Sequence, residues 1–300
     1  MSMTVTPAAL TDEERAAIID AVREFAQSRL APNALDWDRR KHFPRDVLAE
    51  AGELGLGGIY VRDDVGGTGL RRTDAAAIFE QLAVGDPAIA AYISIHNMVA
   101  WMIDTNATEA QRQEWLPRLV TMRDLGAYCL TEPGAGSDAA ALTTSAIADG
   151  DDYVLTGVKQ FISGAGEASV YVVMARTGEP GAKGITAFLV PADAPGLSFG
   201  PNEQKMGWNA QPTRQVILDE VRVPVAAILG ELGGGFRVAM KGLNGGRVNI
   251  AACSLGGAQW ALDRAVRYVH ERFTFGEALA ERQSVVFLSL IHISEPTRPY

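Results

Sequence analysis

The chain is poor in the residues that mark metals, disulfides and membranes. It has 2 cysteines and 4 histidines in 300 residues. Cys129 and Cys253 lie far apart in apolar surroundings, with no C-x-x-C, no histidine-rich tract and no H-E-x-x-H. Buried free thiols are therefore expected, and a metal site is not. His42, His96, His270 and His292 lack ligand spacing and read as surface or packing residues. No 18-residue apolar run is present, so no membrane-spanning helix is expected. The opening MSMTVTPAALTDEE has neither the basic start nor the apolar run of a secretory signal, which implies a cytoplasmic protein. Positive charge is scarce as well. A formal net charge of −9 argues against broad attraction to nucleic acid, though not against a local basic patch for phosphate.

What is present is a globular composition, 47% hydrophobic and 21% charged, read in three regions. The first is helical. Thr11 with Glu14 forms a capping box, and Ile18, Val22, Phe25 and Arg29 follow at helical spacing up to Pro32. A second helix fits Pro44 to Leu54, with Pro44 as first residue and Gly55 as stop. Further helices fit Asp74 to Val84, the largely apolar stretch DPAIAAYISIHNMVAWMID, and the segment opened by Thr108 and Gln111.

From Leu125 the pattern changes to short runs such as LGAYCLT, DYVLTG, KQFISG and SVYVVMA, separated by turn residues. Asp149-Gly150 is a hairpin signal. No helical pattern lies between these strands, so antiparallel pairing is expected. Helical periodicity returns from Phe236 to Arg272, with Gly245-Gly246 as a kink or boundary. The expected fold is α+β. Residues 1–123 form an N-terminal helical domain and 124–230 a middle antiparallel β-barrel or sandwich. Residues 231–287 begin a C-terminal helical bundle.

Three stretches could carry chemistry. In YCLTEPGAGSD a strand ends in a loop of small residues. It is either an ordinary turn, or a cradle in which Thr131, Gly134, Ala135, Gly136 and Ser137 face a ring edge or diphosphate. It does not open a helix, so the Rossmann and P-loop readings fail. In KQFISG, Phe161 and Ser163 share a strand face, which suits either a core strand or the side of a flat cofactor. In GLNGGRVNIA, Arg247 is either a surface salt-bridge partner or a guanidinium aimed at phosphate or carbonyl. Arg272, Phe275, Arg282 and Gln283 add a basic and polar group further on.

The pieces CLTEPGAGSD, FISGAG, GWNAQPTRQVILDEVRVP, GLNGGRVNIA and RFTFGEAL occur in this order across about residues 10–287, and together they resemble the acyl-CoA dehydrogenase family. The resemblance implies an FAD-dependent enzyme that removes hydrogens from neighbouring carbons of a short branched acyl-CoA. Electrons would pass to electron-transfer flavoprotein. It places Tyr128, Cys129, Leu130, Thr131, Glu132, Pro133, Gly134, Ala135, Gly136 and Ser137 along FAD. It adds Phe161, Ile162 and Ser163 beside the flavin, and Arg272, Phe275, Arg282 and Gln283 against the FAD of a neighbouring subunit. Ser137, Asn244, Gly245, Gly246 and Arg247 would contact acyl-CoA. A homo-oligomer, a tetramer in the family, is implied, with no nucleic-acid or membrane partner.

The family's proton-abstracting glutamate usually lies in a later helical segment, and in a few relatives immediately before the arginine matched by Arg247. Gly246 stands there, so no catalytic base is expected within the chain, and the chain by itself is expected to be inactive. The closing LSLIHISEPTRPY resembles a translated sequencing adaptor, which makes residues 288–300 an expected non-native tail. Two other readings stay open: an oxidase that uses oxygen, and a non-catalytic fragment that binds flavin or acyl-CoA.

Overall fold

The computed structural model of the chain describes residues 10–287. The expectation of a non-native tail from residue 288 lies outside them. Helix α1 (Asp12–Phe25) starts on the capping box: Thr11 Oγ1 accepts from the Glu14 amide at 3.2 Å, and the Glu14 carboxylate accepts from the Thr11 amide at 2.8 Å. A wide turn (Ala26–Leu30) prolongs it, and α2 (Ala34–Arg40) follows beyond Pro32. Helix α2 was not expected, because Trp37 is its one buried residue and leaves no apolar period to read. In α3 (Arg45–Glu53), Pro44 is the capping residue rather than the first helical one, and Gly55 turns the chain at φ 77°. Helix α4 (Arg72–Gly85) precedes α5 (Pro87–Asn106), which Asp86 caps by accepting from the Ala88 and Ile89 amides. Helix α6 (Glu109–Val120) carries the second capping box, Thr108 with Gln111.

The strands β1 (Gly126–Cys129), β2 (Ser145–Asp149), β3 (Asp152–Ser163), β4 (Val170–Arg176), β5 (Ile185–Pro191), β6 (Leu197–Phe199) and β7 (Thr213–Pro224) form one seven-stranded sheet. The pairing is mostly antiparallel, with one departure from expectation. Strand β1 joins β4 in parallel, Gly126 opposite Val170 through Cys129 opposite Val173, and β2 touches β4 in parallel at Ser145 and Arg176. Parallel strands need a long crossover, which need not be a helix. Here the β2–β3 hairpin supplies it.

Asp149 pairs with Asp152 across a two-residue loop in which Gly150 has φ 64°. The runs DYVLTG and KQFISG are one strand, β3, with register shifts between Leu155 and Gly157 and between Lys159 and Ile162. Strand β4 is buried on both faces: Tyr171, Val173 and Ala175 face one core cluster, and Val170, Val172 and Met174 the other. Its sequence is continuously apolar for that reason.

Helix α7 (Gly235–Glu271) packs on α4 and α5 and runs through Gly245-Gly246 as one helix, so no helix boundary falls there. A Cβ on Gly245 would lie 2.6 Å from Arg72 Nη1, so a larger residue there would have to displace that guanidinium. A small hairpin, β8 (Phe273–Thr274) with β9 (Glu277–Ala278), follows α7. Cys129 and Cys253 are free and buried.

Candidate functional site

Strand β1 aims Ala127 and Cys129 into the core and leaves Tyr128 on the opposite face. The chain then turns. The Glu132 amide donates to the Ala135 carbonyl at 3.0 Å, and the Ala135 amide donates to the Glu132 carbonyl at 3.1 Å, which closes a loop over Pro133 and Gly134. No atom outside the loop lies within 4 Å of where a Cβ on Gly134 or Gly136 would sit. These glycines therefore answer no packing demand within the chain, and at Gly136 the open space is the cavity described next.

That cavity, about 470 Å³, is walled by Tyr128, Leu130, Thr131, Gly136 and Ser137 on one side and Phe161, Ile162 and Ser163 on another. Its volume is in the range of small-molecule sites. Alternation would have put only Phe161 and Ser163 on one face. Phe161 instead has φ 60° at the second bulge of β3, and all three residues reach the cavity. Left-handed backbone at an aromatic residue is costly, and such strain gathers at binding sites. Its effect here is to turn the ring outward, so that Phe161 is 61% exposed. The remaining wall comes from Ile95 and Met98 of α5, from Asp138, Ala139 and Ala140, and from Phe236, Met240, Leu243 and Arg247 of α7. Of these, only Arg247 was singled out from sequence. The 236, 240, 243, 247 spacing is one helical face and could have shown Phe236, Met240 and Leu243.

The other expected residues take different places. Cys129 is fully buried behind the wall, where burial pushes its thiol up to about 12. Glu132 is buried beneath the loop. Burial alone would raise its carboxyl, but Lys159 and the Thr143 and Thr144 donors hold it down to about 2. Pro133 and Gly134 are exposed at the turn, and Ala135 is buried. Asn244, Gly245 and Gly246 do not line the cavity, although Asn244 Oδ1 accepts from Arg247 Nη1 at 2.6 Å. Arg247 makes no ion pair among the described residues, so the salt-bridge alternative finds no partner here. Arg272, Phe275, Arg282 and Gln283 lie beyond α7 and are not part of this wall. There Arg282 lies 5.2 Å from the Phe275 ring centroid, and Phe275 is almost wholly exposed.

The wall combines an outward aromatic ring, hydroxyls at Thr131, Ser137 and Ser163, and one cation, Arg247. The Tyr128 hydroxyl is buried without a hydrogen-bond partner, and burial pushes its phenol above the usual range, so it remains a donor in need of an acceptor. Among the described residues no group of acidic, histidine or cysteine side chains could hold a metal, and no helix is long and apolar enough to cross a membrane.

This architecture recurs among known proteins of one family. Residues 12–123 match the acyl-CoA dehydrogenase N-terminal domain, 127–221 the middle domain and 233–289 the C-terminal domain. The chain belongs to the acyl-CoA dehydrogenase family. It is 56% identical over 265 residues to the mitochondrial isobutyryl-CoA dehydrogenase of Dictyostelium discoideum, covering 88% of this chain and 64% of that one. It is 50% identical over 283 residues to the corresponding protein of Bos taurus, covering 94% and 68%. The chain thus spans about two thirds of the length of these relatives. A glutaryl-CoA dehydrogenase from Mycobacterium smegmatis, solved in complex with FADH2, superposes with a TM-score of 0.88 at 30% identity, covering 94% of this chain and 72% of that one. FAD is the cofactor of the family. The residues present fit it, on the orphaned Tyr128 hydroxyl, the outward Phe161 ring and the unfilled space beside Gly136.

Proposed function

We propose that the protein binds FAD and a short branched acyl-CoA of the isobutyryl type in this cavity and serves α,β-dehydrogenation of the thioester. Electrons would leave to electron-transfer flavoprotein. The observation that carries the reading is that three sequence stretches from three parts of the chain wall a single cavity: Tyr128 to Ser137, Phe161 to Ser163, and Arg247. The substrate class rests on the two isobutyryl-CoA dehydrogenase relatives.

When bound, FAD supplies the acceptor for the substrate's β-hydride. The chain's own groups do the rest. Phe161 offers a face for ring packing, and Thr131 and Ser163 offer polar contacts to a ring edge. Ser137 and its exposed neighbouring amides suit a pyrophosphate. Arg247 gives the acyl-CoA a charged anchor, and Asn244 orients it. Ile95, Met98 and Leu243 make an apolar recess that receives a short acyl group and keeps water from it. The expected FAD contacts of Arg272, Phe275, Arg282 and Gln283 lie in and beside a hairpin with an exposed Phe275, which would be open to a second subunit. Exposed Leu255, Trp260, Leu262 and Val266 on α7 support the homo-oligomer in the same way.

The α-proton needs a base. Among the described residues the wall carries one carboxylate, Asp138, and it is exposed. No base is assigned to residues 10–287, and the 300-residue chain is expected to bind without turning over. Titration with FAD followed by isobutyryl-CoA tests this. Flavin uptake with a substrate-induced spectral shift supports the reading, and a chain that stays colourless in excess FAD sinks it. Steady bleaching with turnover would overturn the assignment of no base, and peroxide release would favour the oxidase reading.

A further inference from the structure

Lys159 is fully buried, which is rare for lysine without a dedicated partner. Its ammonium donates to a Glu132 carboxylate oxygen at 2.8 Å and to the Leu130 carbonyl at 3.2 Å. The same carboxylate accepts from the Thr143 amide at 2.6 Å, the Thr143 hydroxyl at 2.9 Å and the Thr144 amide at 2.9 Å. Neither Lys159 nor Glu132 lines the cavity, and nothing in the proposed chemistry uses them.

Their positions in the chain give them a task. Leu130 and Thr131 adjoin Glu132 and form one wall. Phe161, Ile162 and Ser163 follow Lys159 by two to four residues and form the other. Strand β3 loses its register with β7 directly after Lys159, and the Gln160 amide donates to the Thr131 carbonyl at 2.8 Å. The bulge that turns Phe161 outward is therefore tied to the β1 loop as well as to β7, where Gln160 Oε1 accepts from Gln215 Nε2 at 2.7 Å. Cys129 is the other titratable group beside the ammonium, and it is held protonated by burial, which leaves Glu132 as the anionic partner among the described residues.

We infer that the buried Lys159–Glu132 pair is a positioning device: it clamps the Leu130–Ser137 loop to the Phe161–Ser163 bulge and so fixes the two cavity walls at the spacing a flavin ring needs. The flavin part rests on the proposed function, while the clamp itself rests on geometry alone. Removing one partner strands a buried charge and unfolds the site for a trivial reason, whereas replacing both is commonly tolerated. The useful variant is therefore the pair Glu132→Gln with Lys159→Met. It keeps one acceptor oxygen, enough for the Thr143 amide and hydroxyl but not for the Thr144 amide as well, and removes the cross-link.

Two readouts separate the possibilities. Hydrogen exchange on the 300-residue chain without FAD reads the clamp. Amides of residues 130–137 and 159–163 should exchange at least about tenfold faster in the double variant, with the rest of the sheet unchanged and Tm within about 5 °C. FAD titration reads the purpose, with an expected loss of affinity of at least about tenfold. Unchanged exchange in both segments overturns the clamp, whatever FAD does. Faster exchange with unaltered FAD affinity overturns its role toward the flavin. A wild-type chain that takes up no FAD removes the proposed function and with it the flavin part of this inference.

Discussion

Gly256 of α7 lies directly against Glu80 of α4: a Cβ on Gly256 would fall 2.1 Å from the Glu80 carbonyl oxygen and 2.9 Å from the Ala83 Cβ. Alanine would gain up to about 1 kcal/mol in helix propensity. Forcing two helix backbones apart costs about 1–3 kcal/mol, and a backbone atom cannot swing aside. Gly256→Ala is therefore expected to destabilise by about 1–2 kcal/mol in urea unfolding. A stabilised variant would mean that α7 sits further from α4.

His96 sets a pH dependence. Its ring is fully buried; Nδ1 accepts from the Gly126 amide at 3.1 Å, so the Nε2 hydrogen goes to the Leu119 carbonyl at 2.9 Å. Burial holds its pKa down to about 4, from an ordinary 6.5. Between those values the unfolded chain binds the extra proton, so stability drops as pH falls from 6.5 towards 4, by about 2 kcal/mol at pH 5. Asp86, which burial pushes up to about 6, gives the opposite slope above its ordinary 3.8. The quantity to measure is therefore the difference from His96→Gln, which can keep both hydrogen bonds without titrating. Parallel stability curves from pH 7 to 5 for the two proteins would exclude the assignment.

At Phe161 the backbone and the ring can be tested apart. Phe161→Gly accepts φ 60° freely and removes the ring. It should leave stability within about 0.5 kcal/mol and weaken FAD binding. Phe161→Val places a β-branched side chain in the left-handed region and should cost about 1–2 kcal/mol as well. Equal stability of the two variants would show that the bulge relaxes.

Among the described residues Arg247 bonds to Asn244 and to no carboxylate, and it is exposed. Arg247→Ala should change stability by less than about 0.5 kcal/mol. Acyl-CoA affinity, read by calorimetry on the FAD-loaded protein, should fall by at least about tenfold. Loss of FAD with unaltered acyl-CoA affinity would move Arg247 to the cofactor.

Much of this was legible in the sequence where local rules act alone. Both capping boxes, the Asp149-Gly150 turn and the buried α5 followed from spacing and turn chemistry. Legibility failed where distant contacts decide. Gly245-Gly246 looked like a helix break, yet α7 runs on through both, and a Cβ on Gly245 would crowd the Arg72 guanidinium of another helix. Helix α2 buries one side chain, too few for a period. Phe161 and Ser163 were read from strand alternation, which the bulge cancels, and Lys159 passed as an ordinary strand residue because its partner sits 27 positions earlier. The wall residues of α5 sit on a helix buried almost all round, and those of α7 on a face whose partner only the folded chain shows.

The parallel seat of β1 beside β4 also imposes an order of assembly. The β2–β3 hairpin closes over two residues, whereas Gly126 must find Val170 across 43 intervening residues, fewer than half of which belong to that hairpin. Long closures come late, because their entropy is lost before any contact repays it. The strand that begins the cavity is thus expected to dock after that hairpin closes, which would leave Ala127 and Cys129 uncovered until then. Rate measurements on Leu155→Ala and Ala127→Gly would show it: the first should slow folding, and the second should chiefly hasten unfolding.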